Sequence, residues 1–460
     1  MNKDIIISIT IVLLFLGLTI VSGAGRFPPN PRKNKDGIPI TLEDEGDHFP
    51  CGYEFWCYHA CLILEDGQRL DATASFVYFM NKTKEGYDPG LSFLRIRHWN
   101  IQTEECFDYL RIDDFPGVFQ TGKNEVNLTY ENSFALGLYP DYYFHSVDLT
   151  HNITLDLNLH SISHPCWLLK ESTNGTVPWV FSGTGKAYFI PIINATGYID
   201  INGTIYNFTG HAYLEHDFAD INFSNPLAIY SLKEAITGIK LMINGGKWLL
   251  SQNQQNRWKI LHELHRSNDY FLGWGWSWTV FDNGWSIVFF RPTILGISEG
   301  YVPIFLYLTK DGINYSEIGY IYWKNNYDKY MERADIYIPI DFEISTRIDE
   351  NEFHITFNCT TEITELYTKD SACSYYWCGT VGGYYIEKGA NIPISGAYGM
   401  EQSRFLTKAK HRSKDIEIIL PPDGLGFRIK TTSHLLGLER YFEIMLRPRF
   451  KIDFYIKPAP

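Results

Sequence analysis

The 460-residue chain is poor in positive charge: 40 Lys and Arg stand against 53 Asp and Glu, for a formal net charge of −13. It has no long basic block, so a phosphate backbone would be repelled and nucleic acid is not an expected partner. The sequence holds no Gly-x-Ser-x-Gly, no phosphate loop and no dinucleotide fingerprint. Nothing therefore calls for a bound cofactor. A metal is not expected either. The Cys51/Cys57/Cys61 and Cys373/Cys378 spacings are not the paired C-x-x-C of a structural zinc site. His262-Glu263-Leu264-His265 has the wrong spacing for a zinc-protease helix and reads as a solvated helix face. No repeat of short period is present.

Aromatic residues are plentiful: 31 Tyr, 30 Phe and 12 Trp favour pleated, half-buried surfaces. Short strand-like runs recur between Gly, Pro and Asn turns, which points to mostly antiparallel β structure in sandwiches or barrels. The length suits two or three domains at roughly 100–200 residues each. Helical spacing is confined to 225–268, where Ser231-Leu232-Lys233-Glu234 is a capping-box pattern. That stretch is read as a cap on one barrel end, a lid, or an amphipathic membrane contact.

The chain begins as an exported protein would. Lys3 precedes an apolar run from Ile5 to Val21, then Ser22-Gly23-Ala24-Gly25, so 1–25 reads as a signal peptide or a membrane anchor. Arg26, Arg32, Lys33 and Lys35 run against a simple export reading by the positive-inside tendency. Glycosylation sequons at Asn81, Asn127, Asn152, Asn174, Asn194, Asn202, Asn207, Asn222, Asn314 and Asn358 favour it, and eight cysteines permit disulfides. Residues 26–49, Pro-rich and then charged, read as a linker or loosely attached arm. The expected division is a first barrel over 50–268 that includes the helical insertion, a second over 269–402, and an extension over 403–460.

The densest ionisable stretch is His211-Ala212-Tyr213-Leu214-Glu215-His216-Asp217. It continues the second arm of a hairpin signalled by Asn202-Gly203 between two alternating runs. Strand alternation puts His211, Tyr213, Glu215 and Asp217 on one face and Ala212, Leu214, His216 and Phe218 on the other. His211 and Asp217 lie six strand steps apart, roughly 20 Å, so one ion cannot bridge them.

Several segments together resemble the carotenoid hydratase and AttH-like (CrtC-like) family. They are Trp56-x-Tyr58-x-x-x-Leu62 with Asp66-Gly67 and Phe76/Phe79, and the hairpin leading to Glu215-His216-Asp217. The Trp274/Trp276/Trp278 strand with Asp282-Asn283-Gly284 follows, then Tyr376-Trp377-Cys378-Gly379 and Ser395–Glu401. The acids run Glu-His-Asp here where the family has Asp-His-Glu. The resemblance implies two successive lipocalin-like antiparallel barrels over roughly 51–402, and an apolar ligand: an isoprenoid, a polyene or a lipid. It implies a catalytic set of Tyr213, Glu215, His216 and Asp217. Ligand contacts fall to Trp56, Tyr58, Tyr188, His211, Trp274, Trp276 and Trp278. Tyr213 and Glu215 are expected to face the inside of the first barrel, and His216 and Asp217 to be more structural. Asn207 shares the strand parity of Glu215, so a glycan there requires a register flip near Thr209-Gly210. Three readings stay open: a hydratase, isomerase or cyclase; a lipid binder or carrier; and a structural glycoprotein at the cell surface.

Overall fold

The computed structural model describes residues 32–34, 40–82, 86–100, 102–115, 120–168, 175–179, 183–220, 273–292, 299–331, 336–348, 351–368, 372–404, 416–419, 425–433, 438–447 and 451–458. The expected helices of 225–268 and the N-terminal apolar run lie outside the described residues. Among the described residues, no helix is long and apolar enough to cross a membrane.

Antiparallel strands form three sheets. The first has twelve strands between Tyr53 and Asp220. Its strands Tyr53–Leu64 and Thr204–Asp220, far apart in sequence, pair side by side. The second has ten strands, and there Gly273–Phe281 pairs with Ala390–Arg404 in the same way. Bringing early and late strands together is how an up-and-down sheet curls toward a barrel. The expected pair of successive lipocalin-like units is present. A four-stranded sheet between Ile416 and Pro458 follows them.

Alternation explains the cores. In Tyr53–Leu64, the even positions Trp56, Tyr58, Ala60, Leu62 and Leu64 join the interior of the first sheet. The odd positions Tyr53, Phe55 and Cys57 join a second cluster that also contains Trp276, Trp278, Val288 and Tyr307 of the second sheet. The strand is thus buried on both faces, which is why it reads as a nearly continuous apolar run. Each large side chain buried this way contributes about 1.5–3 kcal/mol. The seam between the sheets is also keyed by polar contacts. Trp278 Nε1 donates to the Pro191 carbonyl at 3.0 Å. Pro191 sits where the strand Gly183–Ile201 carries one extra residue between Ile190 and Ile193. Asn314 Nδ2 donates to the His164 carbonyl at 2.9 Å.

The reading of 26–49 as a loose arm is corrected in part. Arg32–Asn34 pairs with the edge of the second sheet. Leu42–Glu45 is a short helix with a capping box between Thr41 and Asp44. Glu45 is buried and accepts from the Tyr139 amide at 2.6 Å and the Tyr142 hydroxyl at 2.8 Å. Thr121 donates to buried Asp47 at 2.6 Å. A run of charge looks like a tether in sequence, but here the acids meet donors of the first sheet.

Gly197 shows how closely these strands approach. Its φ is +154°, and a Cβ there would lie 1.9 Å from the Asp156 carbonyl oxygen. Gly197→Ala is expected to lower stability by roughly 1–3 kcal/mol or more, because backbone must move to admit the methyl. A urea midpoint equal to that of the unsubstituted chain would contradict this packing.

Candidate functional site between the two sheets

The strand Thr204–Asp220 pairs with Tyr53–Leu64 from Phe208 to Ala219 without a break in register. No flip occurs at Thr209-Gly210. One strand face therefore carries Ile205, Asn207, Thr209, His211, Tyr213, Glu215 and Asp217. That face is exposed at Ile205, Asn207 and Thr209, half-buried at His211, and buried from Tyr213 onward. The change comes from the second sheet, which covers only the far part. Asn207 can sit in solvent while Glu215, on the same face, is enclosed. The expectation that Tyr213 and Glu215 point into the first barrel is overturned. They point out of it, against the second sheet, and the interior face holds Ala212, Leu214 and His216.

On the seam side, Tyr213 Oη donates to Glu215 Oε2 at 2.9 Å. Glu215 and Asp217 hydrogen-bond one another, which requires that one carboxyl keep its proton. Burial, then the neighbouring Asp217, drives Glu215 well above the usual carboxylate range. Burial likewise carries Asp217 up to about 8, with Glu401 adding to the effect. Glu401 comes from the second sheet, lies opposite Trp276 across one strand pair and Tyr376 across the next, and accepts from Tyr376 Oη at 2.9 Å. The wall is aromatic: the Tyr213 ring is 5.9 Å from Trp276, 5.8 Å from Trp278 and 5.8 Å from Phe189. Asp217 Oδ1 and Trp276 Nε1 are buried there without a hydrogen-bond partner among the described residues. Arg97 stacks on the Tyr376 ring at 3.6 Å. His59 Nδ1 lies 3.0 Å from Thr73 Oγ1, and burial brings its pKa down to about 3, so it is a neutral imidazole.

The opposite face of the strand has its own cluster. His216 Nε2 and His48 Nδ1 lie 2.9 and 2.8 Å from Glu54 Oε1, and Tyr78 donates to Glu54 Oε2. Burial alone would raise Glu54, but these imidazole partners outweigh it and bring its pKa to about 2. His216 stacks on Trp56 at 4.6 Å and meets Tyr188 edge-on at 5.5 Å. His48, Glu54 and His216 place one possible ligand atom each within 4.8 Å of one another, a donor set that suits a divalent transition metal. Each imidazole already directs that nitrogen to Glu54, so hydrogen bonding accounts for the cluster.

The residues expected to act together are thus divided. Tyr213, Glu215, Asp217, Trp276 and Trp278 share the seam. His216, Trp56, Tyr58 and Tyr188 share the interior of the first sheet, where Tyr58 Oη lies 2.9 Å from Ser146 Oγ. His211 lies at the seam's edge, its pKa lowered by burial. Trp274 pairs with Ser403 in the strand register, and its side chain lies outside the described residues. Sequence reasoning missed Glu401, Tyr376, Arg95, Arg97, His59, His48 and Glu54 as site residues. Glu401 and Tyr376 belong to segments that carried the resemblance, but only the cross-strand register shows that they face Glu215. Cys51, Cys57, Cys61, Cys359 and Cys378 are thiols rather than disulfide halves.

No family model and no curated protein matches the sequence. Solved structures match in fold. A protein assigned as an AttH from Nitrosomonas europaea aligns with a TM-score of 0.53 at 16% identity, over 82% of this chain and 100% of that one. Kievitone hydratase from Nectria haematococca aligns at 0.51 and 13% identity, over 83% and 98%. At these identities the likeness is one of fold. It is the fold of the carotenoid hydratase and AttH-like family that the sequence resembles.

The acid pair has a consequence for stability. An unfolded Asp titrates near about 3.9, whereas Asp217 titrates at about 8 in the folded chain. Between those values the folded state keeps a proton that the unfolded state has released. Its contribution is therefore full at acid pH and declines as the pH rises toward 8. Asp217→Asn should make the fall in unfolding free energy between pH 5 and 8 shallower. An unchanged slope would mean that the pair is not enclosed as a protonated unit.

Proposed function

We propose that the chain binds a small apolar molecule in the seam between its two sheets and protonates a carbon–carbon double bond of it from Glu215. The observation that carries this reading is the Tyr213–Glu215–Asp217 arrangement, a carboxyl pair kept protonated against Trp276 and Trp278. A general acid must still hold its proton near neutral pH, and burial beside a second carboxyl does this. A relative in fold is named a hydratase, which agrees with the reaction class.

In this scheme the Glu215 proton forms the new C–H bond as the π bond breaks. The carboxylate left behind is stabilised by the Tyr213 hydroxyl and the Asp217 proton. The carbocation faces indole rings, whose quadrupoles attract a cation. Water captures it in hydration and returns a proton to Glu215. Loss of a neighbouring proton to Glu215 gives isomerisation, and attack by a second double bond, with loss of a proton from the resulting ring cation to Glu215, gives cyclisation. Glu215→Gln keeps the shape and removes the acid. With an isoprenoid polyene found to turn over, kcat should drop about 10²–10⁴-fold while the ligand still binds. Unchanged turnover would sink the acid role, and binding without turnover in the native chain would leave a carrier.

We further propose that the protein is exported and glycosylated, held at or released from a membrane by its N-terminal run. In support, the sequon residues Asn127, Asn152, Asn194, Asn202, Asn207 and Asn358 are exposed. Asn314 is the exception: it is buried, it donates to the His164 carbonyl, and it accepts from Thr309 Oγ1 at 2.8 Å. Glycopeptide mapping should find sugar at several of the six and none at Asn314. Bare asparagine at all six would overturn the export reading.

A further inference from the structure

The same seam holds a second charged group that the proton-transfer chemistry does not use. Arg95 and Arg97 are 3% and 1% exposed. They occupy alternate positions of the strand Tyr87–Asn100, on the side that faces the second sheet. Their ion pairs among the described residues are with one carboxylate, Asp108. Arg95 Nε and Nη2 donate to it at 2.9 and 2.7 Å, and Arg97 Nε reaches it at 3.4 Å. Asp108 is the one carboxylate bonded to either guanidinium among the described residues; Glu401, the other acid nearby, accepts from Tyr376 Oη at 2.9 Å. Arg95 Nη1 and Arg97 Nη2 are buried with no acceptor among the described residues.

Burying a charge is unfavourable unless it is paired, and orphaned donors add to the penalty. Stacking on Tyr376, at 3.6 Å for Arg97 and 5.0 Å for Arg95, fixes the groups but supplies no acceptor for these two donors. Tyr376 and Glu401 beside them are only half-buried, so this part of the seam is not sealed. The register links it to the acid pair: Tyr376 lies opposite Glu401, and Glu401 opposite Trp276. Two strand spacings, about 10 Å, separate Tyr376 from Trp276.

We propose that Arg95 and Arg97 form a head-group subsite and that the ligand of the seam is amphipathic. An apolar body lies along Trp276, Trp278 and Tyr213, and a singly charged acidic head, a carboxylate or enolate, lies on the two guanidinium groups. This rests on the reading of the seam as a ligand site. An anionic head supplies the acceptor that Arg95 Nη1 and Arg97 Nη2 lack among the described residues. A planar carboxylate also matches the fork of N–H donors that a guanidinium presents. Such a head would set which double bond, about 10 Å away, reaches Glu215.

Tryptophan-fluorescence titration of the full chain with retinoate and with retinol tests this, since the two share a polyene body and differ in the head. Retinoate should bind at least about tenfold more tightly, the scale of a hydrogen bond to a charged group. Arg97→Met keeps the apolar stem and should bring the two ligands to within about twofold, with retinol unchanged. Asp108→Asn removes the competing carboxylate and should strengthen retinoate alone. Retinol binding by each variant reports an intact fold. Equal affinities in the native chain, or loss of both ligands alike in Arg97→Met with a retained melting temperature, would overturn the head-group subsite while leaving the seam a ligand site. Weakening of retinoate by Asp108→Asn would overturn it as well. Binding of neither ligand would overturn both readings.

Discussion

The face-to-face packing of the two sheets over one end of the strand Thr204–Asp220 is the constraint from which the site follows. That strand is ordinary where it begins: Phe208 faces in, and Ile205, Asn207 and Thr209 face water. Farther on, the second sheet arrives with Trp276, Trp278 and Tyr307, and the outward face becomes an interior. Nothing in the strand's backbone changes at that point. The register to Tyr53–Leu64 runs through it unbroken. The polar groups at Tyr213, Glu215 and Asp217 are thereby enclosed by a surface that belongs to another part of the chain.

Enclosure has opposite consequences on the two sides of this strand layer. Glu54, on the inner side, is met by two imidazoles and a phenol, so it keeps its charge despite burial. Glu215, on the outer side, has one phenol and another acid for company, so burial and repulsion leave it protonated. Donor count decides between them. The first solution yields a satisfied cluster that ties the 41–49 arm to the strand through His48. The second yields a proton held where water is scarce and aromatic rings are close.

Much of this was legible in the sequence, for physical reasons. The Asn202-Gly203 hairpin was readable because both residues take positive φ, +53° and +86°, which that dipeptide tolerates. Alternation correctly grouped Tyr213, Glu215 and Asp217. It could not say which face was inside, because a strand buried on both sides is apolar on both sides. That is why Trp56 and Tyr188 were joined to Trp276 and Trp278 as one wall when the strand layer separates them. Glu401 and Tyr376 escaped because their approach to Glu215 depends on register across three strands of the second sheet. Glu45 and Asp47 read as part of a tether because their donors, Tyr139, Tyr142 and Thr121, lie some 75 to 100 residues away in sequence.

A seam differs from a barrel interior in one respect that bears on the proposed chemistry. The acid pair is enclosed by two sheets that fold from separate stretches of chain, so its protonation depends on how closely those sheets approach. Water entering between them would restore the hydration that charged carboxylates lack and lower both pKa values toward the ordinary range. An apolar body lying along Trp276 and Trp278 would do the reverse, since it excludes water and offers no donor. Occupancy of the seam and readiness of Glu215 are then one equilibrium rather than two. A ligand that fills the seam poorly would leave the acid ionised and escape protonation. Selectivity would then arise from how dry the bound ligand leaves the carboxyl pair, as much as from direct contacts to the reacting bond.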